Sequence, residues 1–224
     1  MLDTICDVLK AAYNKGWIST RDGNASYRRR SDNFIYVTPS GVRKQNLNSE
    51  MIIKMKFEEE SKNSNEPWKH LSRVDDEIQS KITGLQPTGE IILHALLQKN
   101  IPTSNSPNLG NNRVVLHLHP TYIISAIYTG IDLQKLANDF PEINRYTRVG
   151  PTVPLIPPIS QELAEASIKA LNLHEDGSID YDIIGLDRHG IISVAKDAWS
   201  AFEHVERLEH ICQIALASGN YTNK

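Results

Sequence analysis

Apolar residues recur at helical spacing as soon as the chain begins. Leu2, Ile5, Leu9, Ala12 and Tyr13 share one face of residues 2–15, and Gly16 stops the helix. The period then shortens. Asp22-Gly23-Asn24 is a turn signal leading into an alternating segment through Arg28, and Phe34-Ile35-Tyr36-Val37 predicts a second strand, with residues 29–33 as the hairpin turn. Met51–Phe57 predicts a third strand, and the polar stretch 58–72 a solvated loop. Gln86-Pro87-Thr88-Gly89-Glu90 opens a strongly apolar helix containing Ile91, Ile92, Leu93, Ala95, Leu96 and Leu97. Residues 100–112, rich in Asn, Pro, Ser and Gly, predict a loop feeding an apolar strand that begins at Val114 and ends in His117-Leu118-His119-Pro120.

Beyond Pro120 the pattern is helical again, with short helices over 121–128 and to about Phe140 broken at Gly130. Residues 141–150 combine charge, a phenol and a turn. Val153–Pro158 carries too many prolines for a central strand. Ser160 caps a helix running to about Ala170. Ile183–Ala195 predicts two strands meeting near Arg188–Gly190, and Asp197 caps a last long helix to about Ala217. No repeat or linker divides the chain, so residues 1–224 are expected to form one α/β domain.

Composition narrows the classes. With 224 residues and 40% hydrophobic positions the chain can bury a sizeable core. A net charge of −3, with one short basic cluster at Arg28-Arg29-Arg30, argues against nucleic acid as a partner. No apolar run reaches the length of a membrane span, and the charged N-terminal helix is not a secretory signal. Cys6 and Cys212 lie far apart in helical contexts, which fits a reducing cytoplasm; any metal must therefore rely on His and carboxylate ligands.

The candidate chemistry sits where strands end. On a strand, His117 and His119 project to the same face. Alone, such a pair is more often two satisfied core histidines than a metal site. Gly23-Asn24 and Thr38-Pro39-Ser40-Gly41 are polar loops suited to cradling an anion, or to ordinary turn chemistry. Glu90 suits the helix dipole whether or not it also begins a site. His189 lies at a strand-end turn. Taken together, Glu90, His117, His119 and His189 can supply a divalent, zinc-type site.

Five motifs in order carry a resemblance: Gly23-Asn24-Ala25-Ser26-Tyr27-Arg28, Thr38–Gly41, Thr88-Gly89-Glu90, His117–Pro120 and His189-Gly190. The chain resembles the class II aldolase/adducin family over about residues 2–217. The resemblance implies an α/β/α sandwich around a mostly antiparallel central sheet, in a C4 homotetramer with active sites between subunits. It implies Zn²⁺, or another divalent transition ion, on His117, His119 and His189. Glu90 is then a resting ligand that becomes the acid/base. Gly23, Asn24, Ser40, Gly41, Thr88 and Gly89 match phosphate-binding positions for a small-molecule sugar phosphate. Glu142 and Tyr146 are candidates for a second proton donor. The implied activity is cleavage of a ketose 1-phosphate to dihydroxyacetone phosphate and an aldehyde through a metal-stabilised enediolate. A pentulose-phosphate 4-epimerase, a related dehydratase or decarboxylase, and a non-catalytic adducin-like scaffold are the alternatives. One departure stands out. Related aldolases often carry two hydroxyl residues before the glutamate, whereas Thr88-Gly89 offers one.

Overall fold

The structure, a computed structural model, describes residues 1–30, 32–74, 84–99, 101 and 112–219. Among these residues seven strands form one sheet in the order β4-β3-β2-β1-β5-β7-β6. They are β1 (Asn24–Arg29), β2 (Phe34–Val37), β3 (Ile53–Phe57), β4 (Leu71–Arg73), β5 (Asn112–Leu118), β6 (Ile183–Leu186) and β7 (Gly190–Ala195). All six strand pairs are antiparallel. Among the described residues seven α-helices flank the sheet: α1 (Leu2–Asn14), α2 (Ile91–Lys99), α3 (Thr121–Tyr128), α4 (Leu133–Asp139), α5 (Pro141–Asn144), α6 (Gln161–Leu171) and α7 (Ala198–Ser218).

Alternation along β5 divides the layers. Val114, Leu116 and Leu118 enter a core built with α1, α3, α4 and α7, where Ile5, Leu9, Phe202, Val205 and Leu208 are also buried. Val115 faces the opposite way, into a core with Leu93 and Leu97 of α2 and Leu163 and Leu171 of α6. The expected sandwich of helices around a mostly antiparallel sheet is present. His117, two residues from Val115, therefore turns toward α2.

Two expectations need correction. The third strand starts at Ile53, because residues 49–51 close a 3-10 turn under the Asn48 side chain, which accepts from Glu50 N–H. The polar stretch 58–72 is not a plain solvated loop. It holds two 3-10 turns and part of edge strand β4, since Trp68 and Leu71 pack onto the patch of Ile35, Met55 and Phe57. The predicted loop 100–112 lies almost wholly outside the described residues. No described helix is long and apolar enough to cross a membrane.

α3 begins directly after the His117–Pro120 strand end, with Pro120 in the capping position and no side-chain cap of its own. Glu209 of α7 supplies one. Its two oxygens accept from the Tyr122 and Ile123 N–H groups at 3.0 and 2.8 Å. Burial pushes this carboxyl above its ordinary range, and the bonds to the helix end pull the other way. Removing the carboxylate with Glu209→Ala is expected to cost about 1–2 kcal/mol, because it orphans buried helix-end donors. A urea midpoint unchanged from wild type would refute this capping role.

Candidate active site

The site begins with a tautomer. His117 Nδ1 lies 2.9 Å from the Ile191 carbonyl of the neighbouring strand β7. A carbonyl can only accept, so Nδ1 carries the proton and Nε2 keeps its lone pair. His119 Nε2 lies 2.8 Å from that lone pair. His189 comes from the tight β6–β7 turn, where Arg188 adopts a left-handed φ of 56°. One nitrogen from each of the three rings lies within 4.8 Å of the others. Burial, then the neighbouring imidazoles, pushes His119 down to about 4; burial, then His189, pushes His117 down to about 3. Both rings are therefore neutral near pH 7, the form that binds metals.

Glu90 closes the fourth side. Its Oε2 lies 3.5 Å from His117 Nε2, and its Oε1 3.6 Å from His189 Nε2. The first contact is no ion pair, because His117 is neutral. Instead the carboxyl faces the bare His117 Nε2, and His189 Nδ1 is buried without a hydrogen-bond partner among the described residues. A set of three convergent imidazoles and a carboxyl fits a divalent transition ion, with the Ile191 carbonyl orienting one ligand from behind.

The same residues form the floor of a cleft of about 210 Å³. Gly23, Asn24, Ser40, Gly41, Thr88 and Gly89 all border it, so the structure brings these predicted positions together. The loops are joined by backbone bonds: Ser40 N–H to the Gln86 carbonyl at 2.8 Å, and Thr88 N–H to the Thr38 carbonyl at 3.0 Å. Gly23 has φ +73°, and a Cβ there would lie 3.2 Å from the His117 carbonyl oxygen and 2.7 Å from Ile18 Cγ2. Beneath them Lys44 is buried, donating from Nζ to the Arg21 carbonyl at 3.0 Å and the Val42 carbonyl at 3.4 Å. Desolvation pushes its ammonium down to about 8.

Several site residues escaped the sequence reading. Arg21 is the one side chain of permanent positive charge among the described residues lining the cleft. Ile159 is 59% exposed with φ +64°, a strained conformation for a β-branched residue, and its side chain covers Gly89. A Cβ on Gly89 would come within 3.2 Å of Ile159 Cδ1. His94 stands behind Asn24, fully buried. A periodic signal did exist for it, since Glu90, His94 and Gln98 recur every fourth residue through an otherwise apolar helix.

Glu142 and Tyr146 do not line the cleft of their own chain. Glu142 is exposed and pairs with Arg145 at 3.7 Å. The half-exposed Tyr146 ring lies 5.6 Å from the Arg145 guanidinium and 5.4 Å from that of Arg207. His204 is held by Thr147 at 2.8 Å, outside the three-histidine group.

Comparison with known proteins identifies the family and the fold. A family profile described as "Class II Aldolase and Adducin N-terminal domain" matches residues 3–216. The rhamnulose-1-phosphate aldolase of Bacteroides thetaiotaomicron is 30% identical over 141 residues, covering 60% of this chain but 48% of that protein. An L-fuculose phosphate aldolase of Methanococcus maripaludis is 26% identical over 216 residues, 96% of this chain and 94% of its own. Among solved structures, an L-fuculose 1-phosphate aldolase superposes with a TM-score of 0.69 at 20% identity, covering 96% of this chain and 84% of that one. A sugar-phosphate aldolase from Thermotoga maritima gives 0.69 at 17% identity, covering 100% and 97%. At such identities the structural likeness speaks to the fold.

Gly190 tests the geometry directly. A Cβ there would meet the Leu118 carbonyl oxygen at 2.3 Å and His119 Cδ2 at 2.8 Å. Gly190→Ala is expected to cost about 1–3 kcal/mol and to weaken binding of a cobalt(II) probe, because the strand end carrying His119 must move. Wild-type cobalt affinity in this variant would show that the histidines are not held by that packing.

Proposed function

The chain belongs to the class II aldolase and adducin family, and on that footing we propose that it is a metal-dependent aldolase cleaving a ketose 1-phosphate into dihydroxyacetone phosphate and an aldehyde. One observation carries the reading. Three convergent imidazoles and Glu90 meet in a cleft whose walls are Gly-, Ser- and Thr-bearing loops and whose lining cation is Arg21.

When bound by His117, His119 and His189, Zn²⁺ or another divalent transition ion supplies the positive charge that stabilises the enediolate. The protein's own groups do the rest. Arg21, the Ser40 and Thr88 hydroxyls and the backbone N–H groups around Gly23, Gly41 and Gly89 bind the phosphate and hold the sugar across Glu90. In cleavage the C3–C4 bond breaks, its electron pair passes toward C2 and its oxygen, and the C4 hydroxyl loses a proton as the aldehyde forms. The Glu90 carboxyl delivers a proton to C3 to complete dihydroxyacetone phosphate. The same carboxyl removes that proton in the reverse direction. In the reverse direction Tyr146 or Glu142 of a neighbouring copy gives the C4 oxygen its proton, and in cleavage the conjugate base of that group takes the proton back. Exposure of both residues outside their own cleft supports this, as part of a homotetramer of single-domain chains. Two buried, unpaired cysteines support a reducing cytoplasmic setting.

Incubation with a ketose 1-phosphate should release dihydroxyacetone phosphate, chelation should abolish the release, and added Zn²⁺ should restore it. Glu90→Gln should lower kcat by about 100-fold or more while the metal remains bound. His119→Ala should lose metal and activity together, whereas His204→Ala should keep both. Full activity in protein shown to be metal-free would refute the assignment.

A further inference from the structure

A line of five buried or half-buried polar side chains runs between α2 and the sheet, from Gln98 to Glu90. Gln98 Nε2 lies 3.1 Å from the Arg113 carbonyl and 3.0 Å from Ser26 Oγ. Ser26 Oγ lies 2.8 Å from His94 Nδ1. His94 Nε2 lies 2.6 Å from Asn24 Oδ1, and Asn24 Nδ2 lies 2.9 Å from Glu90 Oε2. Ser26, His94 and Gln98 have no accessible surface, so water cannot reorient any of them.

The direction of this line follows from its two ends together. The Arg113 carbonyl can only accept, so the Gln98 amide must present its NH₂ there and to Ser26. Ser26 Oγ has a second lone pair, so accepting from Gln98 leaves its hydroxyl proton free for His94 Nδ1. His94 then carries its proton on Nε2 and donates to Asn24 Oδ1. The Asn24 carbonyl is thereby turned away from Glu90, and its NH₂ is turned toward it. The near end makes the choice, because a carboxylate accepts and would repel the Asn24 oxygen, which leaves that oxygen to accept from His94 Nε2–H.

Asn24 also borders the cleft, and only one of its two amide N–H bonds has a partner among the described residues. We propose that His94 is a positioning residue that locks the Asn24 amide so that both its N–H bonds face anions, one on Glu90 and the other on the phosphate of the substrate. Without that lock the amide can flip, and its oxygen would face both negative groups. The proposal rests on the sugar-phosphate reading for the identity of its second anion. The hydrogen-bond direction stands without that reading.

The test uses the full chain and two readouts that need no turnover. The first is the proton position on His94 in ¹⁵N-histidine-labelled wild type at pH 7. A ring protonated on Nε2 alone is expected; one protonated on Nδ1 alone, or on both nitrogens, overturns the proposal. The second is affinity for inorganic phosphate. His94→Leu should weaken it about ten-fold or more, the scale of one hydrogen bond to a charged group. His94→Gln, whose amide N–H can replace Nε2–H, should recover most of that loss. Equal losses in both variants, or none in a folded His94→Leu, overturn the positioning role. If His94→Leu does not fold, the wild-type proton position decides. If ketose 1-phosphate turnover is measurable, His94→Leu should raise KM as well as lower kcat. Absence of wild-type turnover with the expected tautomer and phosphate losses would refute the aldolase reading and leave the positioning role intact.

Discussion

Strand register is the constraint on which the site depends. Asn24 pairs with His117 across β1 and β5, and His117 pairs with Ile192 across β5 and β7. A slip of one residue would turn His117 into the core beneath α7 and bring an apolar neighbour to the cleft. The same slip would expel Val114, Leu116 and Leu118 from that core, at about 1.5–3 kcal/mol for each side chain left exposed. Hydrophobic alternation along one strand thus does two jobs. It assembles the core, and it sets two imidazoles and an amide on one face.

On that face the protein buries polarity rather than avoiding it. Ser26, His94, Gln98, Arg113 and His117 lie where apolar side chains would be expected. Such burial is tolerable only when donors and acceptors match. The match is not complete, since Gln98 Oε1 is buried without a hydrogen-bond partner among the described residues, but pairing resumes past the glutamine. Arg113 donates to the Leu97 carbonyl, and Arg28 donates to the Gln98 and Lys99 carbonyls, so two guanidiniums hold the last turn of α2. Positive charge at a helix C-terminus also opposes its dipole. With its far end held in this way, α2 has little freedom to rotate, and Glu90 at its near end inherits that rigidity.

Much of this was legible in the chain itself. Periods of two and near four placed β5, β7, α1, α6 and α7, and the caps at Ser160 and Asp197 act as their residue types predict. The metal-capable histidines were legible because strand ends display their last residues together. What escaped notice had weaker local marks. Arg21 looks like any turn cation, and its place in the cleft depends on Lys44, more than twenty positions away, holding its carbonyl. His94 looks like a neutral interruption of an apolar helix until Asn24 and Ser26 are set against it by the sheet. Trp68 and Leu71 sit in a stretch polar enough to hide an edge strand, which forms because two side chains find a hydrophobic patch.

The contact of Ile159 with Gly89 has an evolutionary consequence. Side-chain volume at the two positions is shared: a hydroxymethyl group at residue 89 needs the space that the isoleucine fills. A serine at residue 89 requires Ile159 Cδ1, the tip of an exposed side chain, to give by a few tenths of an ångström. Enlarging residue 89 first creates crowding, while shrinking residue 159 first leaves the wall uncovered. The two sites are therefore coupled in the energetic sense, and their substitutions should not combine additively. The ease of adding a hydroxyl to this wall is thus set by how freely the side chain at residue 159 gives way.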